Sequence, residues 1–177
     1  MSTFQVDLRG MVDLLSRNLY SGPRVYIREL LQNGLDAIEA RSALDPDCPR
    51  RVTITIEGRT LKCRDSGIGL TEEEAAGLLS TIGASSKRDE LGMARSDFLG
   101  QFGIGMLSCF MISDSITVYS RSAKSPDSPT VIWEGKTEGT YTTQPLSASD
   151  PHNLGEAGTE VVLEAHPGEP WIDPDTV

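Results

Sequence analysis

The chain has 177 residues, of which 38% are hydrophobic, and a formal net charge of −10 at pH 7. This length suffices for one folded domain with a buried core, and no apolar run is long enough to cross a bilayer as a helix. The Lys and Arg residues do not gather into a patch, so we expect no binding to nucleic acid and none to membranes.

Three widely spaced cysteines, Cys48, Cys63 and Cys109, form no CxxC pair and no disulfide framework. We interpret each as a small buried apolar side chain in a reducing compartment. The N-terminal residues lack the basic-then-apolar pattern of a signal segment. The sequence therefore predicts a cytoplasmic protein.

The first quarter of the chain reads as an edge strand followed by two helices. Residues 4–6 fit a short strand, and apolar residues recur at helical spacing over residues 8–19. A Ser-Gly-Pro break at residues 21–23 ends this helix and begins the next, because proline suits a first helical position. We expect the second helix to run to about Ser42.

Three polar side chains of the second helix, Glu29, Asn33 and Asp36, are about one turn apart and share one side of it. The apolar residues Leu30, Leu31, Ala37 and Ile38 are predicted to form the stripe beside them. An amide oxygen can hold Mg²⁺, and a carboxylate one turn away can take a proton from water. The same spacing also fits an ordinary solvated helix face.

The middle of the chain predicts a strand pair, a helix and a long connection. Alternating residues predict strands over residues 52–65, and Thr71 with Glu74 has the spacing of a capping box that begins a helix at Glu72. Residues 83–102 show little apolar periodicity. We interpret them as a lid over a binding site, although the same composition fits a surface loop.

The last part of the chain is rich in predicted strands. The apolar run at residues 105–112 predicts a buried helix, and four strands begin near Ile116, Val131, Gly139 and Glu160. This order predicts an α+β two-layer sandwich, with a mixed, mostly antiparallel sheet covered by helices on one face.

Short glycine-bearing segments stand at the ends of these elements. Asp65 follows a predicted strand, and its carboxylate, which only accepts hydrogen bonds, suits the amino group of adenine. Gly67 and Gly69 would let the backbone approach a flat base, and Thr159 could add a hydroxyl. Gly103 and Gly105, which precede the apolar helix, would leave its first N–H groups bare for phosphate. Each segment by itself also fits a turn or tight packing.

Together, the segments YIRELLQNGLDAI, DSGIGLT, STIGASSK and GQFGIGMLSCFMISD resemble the heat shock protein 90 family. That family shares the Bergerat ATP-binding fold with type II topoisomerases such as gyrase, mismatch-repair ATPases and histidine kinases. The resemblance runs from about Phe4 to Leu163 and suggests a divergent bacterial branch.

The resemblance implies a site for ATP or ADP and Mg²⁺. It makes Glu29 the general base, Asn33 the Mg²⁺ ligand and Asp36 a supporting residue. The other implied nucleotide-binding residues are Ala37, Asp65, Gly67, Ile68, Gly69, Leu70, Leu79, Lys87, Gly100, Gln101, Phe102, Gly103, Ile104, Gly105, Met106 and Thr159. The chain departs from the family pattern at Leu78, Ala84 and Met106, where family members often carry Asn, Lys and Phe.

The resemblance also implies a role in protein folding and the stress response. Residues 1–165 would be the N-terminal ATP-binding domain, with residues 166–177 a linker toward a middle domain outside this chain. ATP would close the lid and pair two such domains in a homodimer that handles unfolded or partly folded clients, with very slow hydrolysis by this domain alone. Two alternatives stay open: the catalytic domain of a histidine kinase, and a nucleotide sensor that hydrolyses nothing.

Overall fold

A computed structural model describes residues 2–3, 24–77 and 105–168 of the chain. The predicted strand at residues 4–6, the first helix, the lid at residues 83–102 and most of the C-terminal linker lie outside these ranges. The elements in chain order are β1 (Ser2–Thr3), α1 (Val25–Ser42), β2 (Val52–Glu57), β3 (Thr60–Asp65), α2 (residues 72–77), a helical turn at residues 105–107 that continues as a 3-10 helix (Ser108–Met111), β4 (Ser115–Arg121), β5 (Thr130–Lys136), β6 (Thr140–Pro145) and β7 (Gly158–Glu164).

The strands form one seven-stranded sheet in the order β1-β6-β5-β4-β7-β3-β2. Every pairing between the described strands is antiparallel, where a mixed, mostly antiparallel sheet was predicted. Helix α1 packs against β2 and β3, and its buried residues join the inward-facing side chains of the strands in one core. The predicted α+β class is confirmed. None of the helices in the described ranges is long and apolar enough to span a membrane.

The predicted strands and the capping box match the structure closely. Residues alternate between half-buried and exposed along β2, and between half-buried and buried along β3. The N–H of Thr71 donates to Glu74 Oε2 at 2.9 Å, and the N–H of Glu74 donates to Thr71 Oγ1 at 3.2 Å. This reciprocal pair satisfies two N–H groups that the start of α2 would otherwise leave unbonded.

Two local expectations are corrected. Leu31, which was placed in the apolar stripe of α1, lies on its exposed side together with Leu35. The apolar run from Gly105 is buried as predicted, but it continues as a 3-10 helix from Ser108. The Ser108 hydroxyl donates to the Gly105 carbonyl oxygen at 2.5 Å, and such a local side-chain bond competes with regular α-helical bonding.

All three cysteines are buried and unpaired, as the sequence predicts. Burial raises the pKa of the Cys63 thiol to about 12 and shifts the pKa of Cys109 in the same direction. Both thiols are therefore protonated at neutral pH, and they contribute to the core as small apolar groups.

Candidate functional site

A row of polar side chains crosses three neighbouring strands at one end of the core. Asp65 on β3 lies opposite Thr159 on β7, which lies opposite Ser120 on β4. Because side chains alternate between the two faces of a sheet, this row continues the core face. The two preceding rows on that face are apolar except for a cysteine: Cys63, Val161 and Val118, then Leu61, Leu163 and Ile116.

The carboxylate of Asp65 is the charged group of this row and is only 7% exposed. Burial raises the pKa of Asp65 to about 6. The backbone N–H of Gly67, which donates to Asp65 Oδ1 at 2.8 Å, the positive charge of Arg64 and the N–H of Thr159 oppose that rise. At neutral pH the side chain is therefore a largely ionised, buried acceptor.

The loop that follows Asp65 is bound on both sides by backbone hydrogen bonds. The N–H of Ile68 donates to the carbonyl oxygen of Ala37 in α1 at 2.9 Å, and the carbonyl oxygen of Ile68 accepts from the N–H of Ala123 at 2.7 Å. Arg41 Nη1 donates to the Ser66 carbonyl oxygen at 2.9 Å. The loop is thus fixed between α1 and the end of β4.

The two glycines of this loop are required by its packing. A Cβ atom at Gly67 would overlap Ala37, and Gly69 has φ +65° with the Arg121 carbonyl oxygen where its Cβ would be. The sequence suggested that these glycines make room for a base. In the structure the space beside each glycine is filled by the chain's own atoms. The two glycines therefore serve first to let the loop pack closely against α1 and β4.

Ser120 was not predicted as a site residue, although it holds the polar row together. Its hydroxyl oxygen accepts from the N–H of Leu70 at 2.8 Å, lies 2.8 Å from Thr159 Oγ1 and donates to the Gly158 carbonyl oxygen at 3.2 Å. The signal in the sequence is a serine at the third inward position of β4, after Ile116 and Val118.

Helix α1 carries Glu29 and Asn33, which were predicted to act at the phosphate end of the site, and Asp36, which was predicted to support it. Asn33 is 5% exposed, and its Nδ2 has no hydrogen-bond partner in the described part of the chain. The Glu29 side chain is 23% exposed and its carboxylate lies directly against Gly105, where a Cβ atom would overlap it. Asp36 accepts a hydrogen bond from Gln32 Nε2 at 2.8 Å on the outer side of the helix.

Gly34, inside α1, lets the polar side chains of this helix come close to the polar row around Asp65. A Cβ atom at Gly34 would lie 3.0 Å from Val52 Cγ2 and 3.3 Å from Asp65 Cβ. Glycine lowers helix propensity by about 1 kcal/mol, but here it lets α1 approach the ends of β2 and β3. As a result, Asn33 and Ala37 flank the position at which α1 meets the Asp65 strand.

The structure gives the positions of part of the predicted set. Leu70 and Met106 have their side chains in the hydrophobic core, each 1% exposed. The predicted site residues that fall outside the described ranges are Leu79, Lys87, Gly100, Gln101, Phe102, Gly103 and Ile104. The same holds for the departures at Leu78 and Ala84.

Comparison with known proteins identifies relatives for nearly the whole chain. The family model of histidine kinase-, DNA gyrase B- and HSP90-like ATPases matches residues 20–159. Chaperone protein HtpG of Cronobacter sakazakii is 33% identical over 94% of this chain, and HtpG of Yersinia pestis is 34% identical over the same share. HtpG of an Escherichia coli strain is 32% identical. The chain spans 28% of the length of these relatives.

The raised pKa of Asp65 predicts a stability gain when its charge is removed. The folded state binds this proton more tightly than the unfolded chain, whose ordinary pKa is 3.8. Stability therefore falls as the pH rises from about 4 to about 6 and stays low above that. Asp65→Asn keeps an acceptor for the Gly67 N–H without the buried charge. We expect it to unfold at a temperature several degrees higher at pH 7.5, from a gain of up to about 3 kcal/mol.

Thermal unfolding of both proteins between pH 4 and pH 8 measures this effect. The difference should shrink toward pH 4, where the carboxyl is protonated in the folded state and close to its ordinary pKa of 3.8 in the unfolded chain. Asp127→Asn, which removes an exposed carboxylate, is the matched control and should leave the curve in place. If Asp65→Asn is less stable than the parent at pH 7.5, the carboxylate charge stabilises the folded loop and the prediction is wrong.

Proposed function

This chain belongs to the family of histidine kinase-, DNA gyrase B- and HSP90-like ATPases, and we propose that it is the N-terminal ATP-binding domain of an HSP90-type chaperone. The observation that carries the proposal is the buried carboxylate of Asp65 at the end of β3, which is followed by a loop hydrogen-bonded to the helix that carries Asn33 and Glu29. Because the chain covers only 28% of its relatives, the activity of the whole protein toward clients is part of the proposal.

Adenine recognition follows from the chemistry of the polar row. Asp65 offers only lone pairs, so it can accept from the exocyclic amino group of adenine. Guanine presents a carbonyl oxygen at the equivalent position, and two acceptors facing each other in a buried site leave both unpaired, at a cost of about 1–3 kcal/mol each. Thr159, 2% exposed and bonded to Ser120, would contribute its hydroxyl beside the same base.

The phosphate end of the nucleotide would lie along α1 toward Gly105. The Nδ2 of Asn33, which has no hydrogen-bond partner among the residues that the structure describes, is the kind of buried polar atom that a ligand completes. The amide oxygen of the same side chain is a suitable donor for Mg²⁺. When bound, Mg²⁺ would supply positive charge to the phosphate oxygens. Among the described residues, no group of three or more Asp, Glu, His or Cys could hold a metal alone, so Asn33 would share the ion with the nucleotide.

Glu29 is the proposed general base. It lies one helical turn before Asn33, it is partly exposed to solvent, and it contacts the glycine segment that begins the buried helical turn. From there it would take a proton from the water that attacks the terminal phosphate. A histidine kinase transfers the phosphate to a side chain and needs no such base, so this carboxylate favours hydrolysis over phosphotransfer.

The remaining parts of the proposal concern the longer protein. We propose that it acts on unfolded or partly folded proteins in the cytoplasm, and that two copies pair their ATP-binding domains when ATP is bound. The names of the relatives, all chaperone protein HtpG, support this part.

Nucleotide selectivity tests the role of Asp65. The parent should bind ATP and ADP and discriminate against GTP, and Asp65→Asn should lose most of its adenine-nucleotide affinity, because an amide loses the charge-assisted bond and can present a donor. Calorimetry with the three nucleotides measures both, with Asp127→Asn as the control that keeps binding. Equal affinity for GTP and ATP in the parent would refute adenine recognition by Asp65.

Separation of binding from hydrolysis tests Glu29. Glu29→Gln in the full-length protein should bind ATP as the parent does and lose turnover by about 10²–10⁴-fold, the usual contribution of a general base. Glu39→Gln, an exposed position on the same helix, is the control and should turn over normally. If Glu29→Gln and the parent hydrolyse ATP equally fast, the base is elsewhere; if neither hydrolyses it, the domain is a nucleotide sensor.

A further inference from the structure

Strand β2 has β3 as its only neighbour in the described sheet, so one side of its backbone has no partner among the described residues. The carbonyl oxygen of Arg51 accepts from the N–H of Ser66 at 3.0 Å, and the N–H of Arg51 donates to Ser66 Oγ at 2.9 Å. Since backbone groups alternate in direction along an antiparallel strand, the odd-numbered residues of β2 bond to β3. The N–H and carbonyl groups of Val52, Ile54 and Ile56 point to the open edge.

The charges of the open edge, Arg51 and Glu57, are confined to its two ends, and its middle lacks the features that usually prevent pairing with another chain. Residues 52–56 are Val-Thr-Ile-Thr-Ile, five β-branched residues in succession with no charge and no proline. Natural edge strands generally carry a charged residue, a proline or a bulge. An unprotected strand of this kind favours a further strand beside it.

An open groove of about 580 Å³ continues from the edge onto α1. Its lining is half apolar, from Leu35, which is 56% exposed, Ile38 and Val52, and half polar, from Glu39, Ser42 and Arg50. Val52, Ile54 and Ile56 are each half-buried on this side of the sheet. A strand added to β2 would cover this groove and the open backbone groups at once.

We propose that two copies of this chain associate through antiparallel pairing of their β2 strands, with a two-fold axis at Ile54. In this register Ile54 pairs with its counterpart and Val52 pairs with Ile56, so the open groups of one copy meet those of the other. Thr53 of each copy faces Thr55 of the other across the exposed face.

The charges at the two ends of β2 select this register. Arg51 of one copy faces Glu57 of the other, and two-fold symmetry repeats the pair at the opposite end. Arg51 is bonded within its own chain to Glu156 at 3.3 Å, but both side chains are more than half exposed, so this pair holds Arg51 weakly. A register shifted by two residues, with the axis at Thr53, would instead place Glu57 opposite Pro49 and lose both opposite-charge pairs. Moving the axis to Val52 would place Glu57 opposite Asp47, a repulsive pair.

A second copy fits the edge better than an unrelated peptide does. Any extended segment could bond to the open backbone groups. An unrelated peptide, however, would carry opposite charges facing Arg51 and Glu57 only by chance. Self-pairing satisfies both ends with the same two residues. The association does not use the nucleotide site, so it is expected with and without ATP.

Sedimentation and native mass spectrometry of the chain over a range of concentrations test the proposal. The parent should show a concentration-dependent dimer. Arg51→Glu and Glu57→Arg each create two like-charged pairs, and each should weaken the dimer by about tenfold or more. An equimolar mixture of the two variants should recover it, because the heterodimer again faces opposite charges at both ends. Glu156→Gln, which removes only the intrachain partner of Arg51, is the control and should keep the dimer.

A backbone variant tests the strand pairing itself. Ile54→Pro removes an N–H that points to the open edge, so it should abolish the dimer and leave β3 pairing intact. Thr55→Pro removes an N–H bonded to β3 and should lower the unfolding temperature instead. In the parent dimer, amide exchange at residues 52, 54 and 56 should slow as concentration rises.

Three results would overturn the proposal. A parent that is monomeric at all concentrations has no such interface. A dimer that is unchanged by Arg51→Glu, Glu57→Arg and Ile54→Pro uses another surface. Charge variants that each weaken the dimer without recovery in the mixture would show that Arg51 and Glu57 do not face each other. The charge variants alter exposed side chains only, so they decide the question even if Ile54→Pro fails to fold.

Discussion

The buried carboxylate of Asp65 is the constraint on which the described site depends. Two rows of mostly apolar side chains on the core face end in a row of Asp, Thr and Ser, so a charge stands where the pattern of the sheet places a hydrophobic residue. Burial removes water from the carboxylate and destabilises its charged form, which raises the pKa of Asp65 to about 6. Compensation comes from the backbone N–H of Gly67 in the following loop, then from the positive charge of Arg64 and the N–H of Thr159 on β7. The loop must therefore keep its conformation for the carboxylate to remain ionised.

The close packing around Asp65 depends on glycines at positions where no side chain fits. Gly34 lets α1 approach β2 and β3, Gly67 lets the loop approach α1, and Gly158, with φ +138°, lies against the carbonyl oxygen of Asp65. These residues come from three separate parts of the chain, yet they enclose a single carboxylate. The glycines of these motifs are thus required first by the close packing of the fold, whether or not a ligand is bound.

The sequence predicted what depends on local patterning. The β2–β3 hairpin, the capping box at Thr71 and the strands after Ile116 follow from alternation and from short-range hydrogen bonding, and the structure confirms them. Leu31 was misassigned because a two-layer fold buries a narrower stripe of α1 than its apolar residues suggest. The helix after Gly105 was assigned from apolarity alone, which does not distinguish an α-helix from a 3-10 helix.

The site was predictable to the extent that its residues form recognisable segments. Asp65 and Thr159 were found through the segments that contain them, and the structure brings the two side by side through the β3–β7 register. Ser120 was missed because its partners, Leu70 and Thr159, are distant in sequence, and only strand order makes them neighbours. Sequence spacing carries no information about such a pair until the topology is known.

Helix α1 determines how base recognition and water activation could be linked. Glu29 lies against Gly105, and Ala37 binds the loop that follows Asp65, so the two ends of the site are eight residues apart on one helix. At 1.5 Å per residue this is about 12 Å, a length suited to an extended nucleotide lying along the helix. Because both contacts are made by one helix and Gly34 seats it against β2 and β3, neither end can shift alone. A change that moves α1 away from the sheet would disturb the Asp65 loop and the position of Glu29 together.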